Sequence, residues 1–166
     1  MFVIKTYLAP DQYGGTGVFA GESIKKDQVV YRYNDETSRI MTVEEYKAIC
    51  AADEKLAKTL KTYCYPGEQE IDGVLTRVLF HDLGNSSFTN HSDDPNTWFV
   101  DDPSHPGYAT NDGINLAKRD IAEGEELTTD YFSFIDDLDA WSDVETCMQF
   151  LIDMGHPRTL KFKKAS

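Results

Sequence analysis

The chain has 166 residues, a length that favours one domain, and its hydrophobic fraction of 40% is enough for a buried core. The net charge of −13 argues against direct binding of nucleic acid, because such binding depends on Lys and Arg neutralising phosphates. An acidic surface either keeps a protein soluble or attracts a basic polypeptide partner. No apolar run approaches the length of a membrane span.

Strand patterns, rich in β-branched and aromatic residues, occur at residues 2–8, 29–33, 71–80, 97–100 and 108–117. Residues 121–129 contain a turn at 123–125 and then a further strand. Between them, residues 42–60 change to helical spacing, which predicts one helix or two short ones. Thr42 and Glu45 have the spacing of a capping box, so we expect the first helix to begin there. Asp72 and the glycine after it predict a turn between two short strands.

The last part of the chain has apolar residues at helical spacing again. They predict a helix over about residues 137–154, which Gly155 can end. The strands, the inserted helical segment and this terminal helix indicate an α+β, β-rich domain.

The cysteines and the N-terminus bear on the cellular compartment. The three cysteines are far apart and include no Cys-x-x-Cys pair, so they indicate neither a disulfide framework nor a zinc site. The N-terminus lacks a charged leader followed by an apolar segment, and we interpret it as a strand of the mature fold. These features favour the cytoplasm, or the nucleus in a eukaryotic cell. His81, His105 and His156 lack metal-ligand spacing and are interpreted as structural or exposed.

Three segments carry the most specific signal. Residues 15–20 read Gly-Thr-Gly-Val-Phe-Ala, and residues 87–96 read Ser-Phe-Thr-Asn-His-Ser-Asp-Asp-Pro-Asn. Residues 117–131 contain Asp-Ile-Ala-Glu-Gly-Glu-Glu-Leu-Thr-Thr-Asp-Tyr. A Gly-x-Gly pair alone is usually a simple turn, but the three segments in this order resemble the SET-domain family of protein lysine methyltransferases. The resemblance covers about residues 2–132.

The resemblance implies a fold that patterning alone does not predict. It implies short β-sheets with a pseudoknot, in which the last segment threads under a loop formed by the central motif. On this basis residues 1–135 form the SET domain, with a helical insert at about residues 41–67. Many relatives close the site with a Cys-rich zinc segment, whereas here residues 136–166 form a helical flank that we expect to serve as the lid.

The implied reaction is methyl transfer from S-adenosylmethionine to the side-chain amine of a lysine in a protein. Tyr131 is the implied catalytic residue, with its hydroxyl beside the transferred methyl. Trp141 or Phe134 is expected to cover the adenine, although both are equally explained as core aromatics. The cofactor-binding residues are therefore expected to be Gly15, Thr16, Gly17, Asn90, His91, Tyr131, Phe132 and Trp141.

The substrate channel is expected to involve Phe99, Thr129 and Tyr33. Thr129 matches a site where relatives carry Phe or Tyr, and Phe99 could fill the same space from the next strand, so the degree of methylation stays open. The expected partner is a protein with an accessible lysine, and a basic, histone-like protein is one candidate. The alternative is a SET-like module that binds a partner with little or no catalysis.

Overall fold

The computed structural model describes residues 1–33, 37–100, 102, 104–106, 113–135 and 138–162. Its contacts divide the chain into two compact units. The first unit contains Met1–Ser38 and Leu83–Ser133, and the second contains Arg39–Asp82 and Phe134–Ser166. The predicted domain boundary at residue 135 stays a prediction. The second unit contains both the helical insert and the C-terminal tail.

The elements confirm the α+β, β-rich class. The α-helices are α1 (Val43–Ala52), α2 (Glu54–Tyr63) and α3 (Met148–Asp153). The strands are β1 (Thr6–Pro10), β2 (Thr16–Ala20), β3 (Val29–Arg32), β4 (Ser38–Thr42), β5 (Tyr65–Ile71), β6 (Val74–Asp82), β7 (Asn90–His91), β8 (Thr97–Val100), β9 (Ile114–Ala117) and β10 (Thr128–Thr129). Short 3₁₀ helices cover Asn85–Phe88, Tyr131–Phe134, Leu138–Trp141 and Pro157–Phe162.

The described residues of the first unit form three small sheets. The strands β1 and β2 form an antiparallel hairpin, and β9 lies between β3 and β8 in a three-stranded antiparallel sheet. The third sheet pairs β7 with β10 in parallel, with Asn90 opposite Thr128 and His91 opposite Thr129. This pairing joins the central motif to the last motif.

The core of the first unit explains the apolar residues of the outer motifs. Because side chains alternate along a strand, β2 buries both Val18 and Ala20. They pack with a contiguous cluster that includes residues from β3 and from the chain around β10. Burial of each large aliphatic side chain contributes about 1.5–3 kcal/mol. The other members of this cluster are Ile24, Val30, Tyr31, Ala117, Ile121 and Leu127.

Asn96 holds the last motif from the side opposite β7. It is 2% exposed, and its Nδ2 donates to the carbonyl oxygen of Glu126 at 2.7 Å. Its Oδ1 accepts from the backbone N–H of Thr128 at 2.9 Å, and the hydroxyl of Thr97 donates to the carbonyl of Thr128 at 2.8 Å. The chain leading into β10 therefore lies between β7 and the start of β8. This is the arrangement that the resemblance implies for a pseudoknot.

The helical insert forms as the sequence predicts, in two helices. The hydroxyl of Thr42 accepts from the N–H of Glu45 at 3.2 Å, and the Glu45 carboxylate accepts from the N–H of Thr42 at 2.8 Å, which completes the capping box. Asp53 ends α1 and caps α2 by accepting from the N–H of Leu56 at 2.9 Å. The predicted turn at Asp72 joins β5 to β6 in a long hairpin, with Asp72 and Gly73 both at positive φ.

The predicted long helix in the tail is wrong. Only Met148–Asp153 is α-helical within residues 138–154, after a 3₁₀ helix at Leu138–Trp141. The reason is that backbone groups between them bond elsewhere in the second unit. The N–H of Cys147 donates to the carbonyl of Cys64 at 2.9 Å, and the hydroxyl of Tyr46 donates to the carbonyl of Glu145. The single N–H of Cys147 therefore cannot also donate to the carbonyl of Asp143, as a continuous α-helix would require.

Other strand predictions also shift. Of the segment predicted at 121–129, Thr128–Thr129 forms a strand, and Ile121 forms an isolated bridge with Ile24. The first strand covers Thr6–Pro10 rather than residues 2–8, and Phe2 instead forms an isolated bridge with Tyr31. Of the strand predicted at 108–117, the structure places β9 at Ile114–Ala117, and residues 107–112 lie outside the described part of the chain. None of the helices in the described ranges combines the length and the hydropathy that crossing a bilayer requires.

Candidate active site

Asn90 lies between two carboxylates in the first unit. Its Nδ2 donates to Oδ2 of Asp11 at 3.0 Å and to Oε1 of Glu126 at 2.7 Å. Ionised carboxylates only accept hydrogen bonds, so the amide nitrogen must be the atom that faces them. The orientation of the Asn90 amide is therefore determined by its partners, and its Oδ1 is left as an acceptor. Among the described residues, nothing donates to that oxygen.

Gly17 is the point of closest approach to these carboxylates. A Cβ built on Gly17 would overlap Oε1 of Glu126 and lie 3.3 Å from Nδ2 of Asn90. Any side chain at this position would displace the Glu126 carboxylate, which is a flexible group but is bonded to Asn90. The sequence predicted that a glycine here lets the backbone approach a cofactor. The structure supplies a second reason for the glycine, which is the close approach of the Glu126 carboxylate. Thr16 precedes it as the exposed first residue of β2.

Asp11 orders the turn that carries the first glycine of the motif. Its Oδ1 accepts from the N–H groups of Tyr13 and Gly15, both at 2.8 Å. Burial on its own raises the pKa of Asp11, but hydrogen bonds from Gly15, Asn90, Tyr13 and Gly14 outweigh it, so the pKa lies below its usual value. Asp11 is therefore ionised at neutral pH.

His91 and Tyr131 are bonded directly to each other. The backbone N–H of Tyr131 donates to Nδ1 of His91 at 3.2 Å, and their ring centroids are 5.5 Å apart. An imidazole nitrogen that accepts a hydrogen bond carries no proton, so His91 is the tautomer protonated at Nε2 when it is neutral. The His91 side chain thus fixes where the 3₁₀ helix Tyr131–Phe134 begins.

The hydroxyl of Tyr131 is held by the central motif. It donates to the carbonyl oxygen of Thr89 at 2.8 Å, which commits its single proton. Phe132 packs its ring edge-on against His91, with centroids 5.4 Å apart, and its N–H donates to Asp130 at 2.9 Å. Tyr131 and Phe132 are therefore both positioned by His91.

The predicted channel residues form part of an aromatic row on the β3-β9-β8 sheet. Tyr33 meets Phe99 edge-on at 5.3 Å and meets Tyr31 at 4.8 Å. The Phe99 ring covers Gly113, where an added Cβ would lie 2.6 Å from Cζ of Phe99. Thr129 is buried in β10, opposite His91 in the parallel pair. Tyr33 and Phe99 thus lie together, whereas Thr129 lies beside His91.

Trp141 belongs to the second unit, where its ring lies under the guanidinium of Arg77 at 4.5 Å. It is 9% exposed. Its predicted role in covering the adenine stays a prediction. The side chain of Phe134 lies outside the described part of the chain.

Sequence reasoning missed three polar residues. Asp11, Asn96 and Glu126 all form hydrogen bonds that hold the motifs in place. Asn96 and Glu126 belong to the motifs themselves. Their residue type was the available signal, because a polar side chain that is removed from water needs a hydrogen-bond partner. Asp11 precedes a glycine-rich turn, where a local Asp-turn explains it equally well.

Comparison with known proteins identifies the family. The SET-domain family model matches residues 15–132, which is more than half of the chain. The chain therefore belongs to the SET-domain family, and the sequence-based resemblance is confirmed. A comparison with curated proteins finds no match.

Solved structures share this fold. The Neurospora SET-domain protein DIM-5, a histone lysine methyltransferase, has a TM-score of 0.52 at 24% identity, over 82% of this chain and 55% of its own. A chain of the ctPRC2 complex with substitutions in Ezh2 has a TM-score of 0.56 at 20% identity, over 83% of this chain and 16% of its own. This chain thus spans about half of the length of DIM-5.

Proposed function

We propose that this protein is an S-adenosylmethionine-dependent methyltransferase that acts on the side-chain amine of a lysine in a protein. The observation that carries the proposal is the direct linkage of the motif residues. Tyr131 bonds to His91 through its N–H and to Thr89 through its hydroxyl, while Asn90, next in the chain, presents an acceptor from a fixed amide. DIM-5, which has the same fold, is a histone lysine methyltransferase.

The residues around Asn90 fit the amino-acid end of this cofactor. An α-ammonium group donates hydrogen bonds and carries positive charge, so it matches the acceptor Oδ1 of Asn90 and the nearby carboxylates of Asp11 and Glu126. Gly17 lets the Glu126 carboxylate approach Asn90, since a Cβ on Gly17 would overlap Oε1 of Glu126. We assign Gly15, Gly17, Asn90 and His91 to cofactor binding.

When bound, S-adenosylmethionine supplies an electrophilic methyl group on a sulfonium ion. The protein's task is then to present a neutral amine in line with it. At a reference pKa of about 10.4, roughly one lysine in a few thousand is neutral at pH 7. An aromatic wall formed by Tyr33 and Phe99 would disfavour the charged ammonium and lower that pKa. No strong general base is needed once the amine is neutral.

We assign to Tyr131 the role of aligning the lysine amine with the methyl group of the cofactor. Because its proton is committed to Thr89, the hydroxyl would meet the amine N–H and the polarised methyl C–H groups as an acceptor rather than as a donor. Such contacts are individually weak, and they act by holding nitrogen and methyl carbon in the reactive geometry. The net charge of −13 favours a basic substrate protein, because opposite charge speeds encounter.

The test has two stages. Calorimetry first measures binding of S-adenosylmethionine and its demethylated product, and thermal unfolding checks that each raises the melting temperature. Incubation with labelled cofactor and a histone mixture or a cell lysate then identifies the labelled protein and residue by mass spectrometry. Absence of binding at millimolar ligand would overturn the proposal. Binding without transfer to any protein would favour the alternative of a non-catalytic binding module.

A further inference from the structure

Asp11 uses both of its oxygens, and they serve different parts of the chain. Oδ1 accepts from Tyr13 and Gly15 within its own turn. Oδ2 accepts from Nδ2 of Asn90, which is 79 positions away in sequence. A residue that only shaped the turn would need the first oxygen alone. The second oxygen couples the glycine motif to the central motif.

The bond from Asn90 to Asp11 restricts the Asn90 amide more than Glu126 alone would. With one carboxylate partner, the side chain could keep a hydrogen bond while its amide turned about that bond. With two, both N–H groups are committed, and a flipped amide would place its oxygen against two negative charges. Only one orientation satisfies both partners, and it leaves Oδ1 as an acceptor.

We propose that Asp11 is a positioning residue for the amino-acid end of the cofactor, acting through the Asn90 amide and the turn that holds Gly15. This inference rests on the proposed function, since it takes S-adenosylmethionine as the ligand. Asp11 fixes Oδ1 of Asn90 toward the α-ammonium, and its own negative charge favours that cation. The reduced pKa of Asp11 is consistent with this role, because the carboxylate stays ionised throughout the neutral range.

The position of the glycine loop depends on the same side chain. A Cβ on Gly15 would lie 3.0 Å from Oδ2 of Asp11, so the carboxylate packs closely against the loop backbone. The N–H of Asp11 also donates to the carbonyl of Gly15 at 3.2 Å, which closes the turn between β1 and β2. Loss of the carboxylate would therefore loosen the loop and the Asn90 amide together.

The experiment compares ligands that do and do not contain the amino-acid end. S-adenosylhomocysteine carries the α-ammonium, whereas 5′-methylthioadenosine has the same nucleoside and sulfur without it. Dissociation constants of both are measured by calorimetry, or by displacement where binding is weak, for wild type, Asp11→Asn and Asp11→Ala. Asp120→Asn is the matched control, because Asp120 also accepts from a backbone N–H, that of Lys26, and from the Nζ of Lys25, both at 2.9 Å.

Asp11→Asn should weaken S-adenosylhomocysteine binding about tenfold, because it opposes an NH₂ group to Asn90 and removes one charge-assisted hydrogen bond. Asp11→Ala should weaken it at least as much. Binding of 5′-methylthioadenosine should stay within about twofold in both variants, and Asp120→Asn should bind both ligands as wild type does. The KM for S-adenosylmethionine should rise by more than kcat falls.

Two results would overturn the inference while leaving the proposed function intact. One is unchanged binding of S-adenosylhomocysteine in both Asp11 variants. The other is an equal loss for both ligands, which would make Asp11 a general determinant of the fold. A wild-type protein that binds neither S-adenosylhomocysteine nor S-adenosylmethionine would instead refute the proposed function, and the role of Asp11 with it.

Discussion

The hydroxyl of Tyr131 donates its proton to the carbonyl oxygen of Thr89, at 2.8 Å. Thr89 immediately precedes Asn90. The predicted catalytic side chain is therefore bonded to the residue next to the predicted cofactor ligand. Substitutions at these positions are therefore expected to differ in their effects on binding, rate and stability.

Tyr131→Phe removes the hydroxyl and keeps the ring next to His91. Loss of the bond to Thr89 should lower the free energy of unfolding by about 0.5–1.5 kcal/mol. Cofactor affinity should stay within about twofold, whereas kcat and kcat/KM should fall together by about a hundredfold, or roughly 2.7 kcal/mol. Single-turnover methylation, calorimetry and circular dichroism on one preparation test this. A folded variant with the wild-type rate would remove Tyr131 from the mechanism and direct attention to Phe99 or Tyr33.

Asn90→Ala should show the opposite balance. It removes the donor that lies between Asp11 and Glu126 and leaves both carboxylates without that partner. The free energy of unfolding should fall by about 1–3 kcal/mol, and cofactor affinity should fall by at least about tenfold. Thermal melts and calorimetry are the measurements. Wild-type affinity in this variant would show that another residue binds the amino-acid end.

Gly17→Ala tests the space beside Glu126. The added methyl would overlap Oε1 of Glu126, so the carboxylate must move away and lose its bond to Asn90. We expect cofactor affinity to fall by about tenfold. Gly14→Ala is the control: its φ of 83° makes Ala strained by about 1 kcal/mol, but nothing lies within 4 Å of the new Cβ. Equal losses in the two variants would show that loop strain, not contact with Glu126, is responsible.

Gly113→Ala and Phe99→Ala test the channel wall. The first would bring a methyl to 2.6 Å from Cζ of Phe99 at a φ of 79°, so the ring must shift and stability should fall by about 1–3 kcal/mol. The second removes the ring that meets Tyr33 edge-on and should widen the channel. Mass spectrometry of the product should show more highly methylated lysine for Phe99→Ala. An unchanged product pattern in both variants would exclude Phe99 from the channel.

Asp143 should contribute to stability in a defined pH range. Hydrogen bonds from Lys47 and Arg77 lower its pKa from 3.8 to about 2. Since the folded pKa lies below the unfolded one, the contribution is full above about pH 4 and is lost as the pH falls toward 2. The Asp143 side chain is 48% exposed, so each ion pair should be worth only about 0–1 kcal/mol.

The measurement for Asp143 is the melting temperature from pH 2 to pH 6 for wild type and Asp143→Asn. The two curves should differ above about pH 4 and converge at pH 2, and added salt should reduce the difference because the pairs are exposed. A constant difference at every pH would mean that the variant acts through something other than the ionised carboxylate.

Local features of this protein are determined by sequence alone. The capping box at Thr42 and the turn at Asp72 depend on groups a few residues apart, so the residue types suffice to predict them. The motif residues Asn90, His91 and Tyr131 were recognisable by their type and order, and the family they indicated is confirmed. Their roles as ligands and catalyst remain predictions.

The tertiary structure alone decided how distant segments meet. The parallel pairing of β7 with β10, the burial of Asn96 against the last motif and the bond from Asp11 to Asn90 join residues from 29 to 79 positions apart. Periodicity reports only which side of an element is apolar, so it does not predict which strand pairs with which. The tail illustrates the same limit: its residues have helical spacing, but the N–H of Cys147 donates to the carbonyl of Cys64 instead of to a carbonyl within a helix. A local pattern becomes a helix only when no long-range partner competes for the same hydrogen-bonding groups.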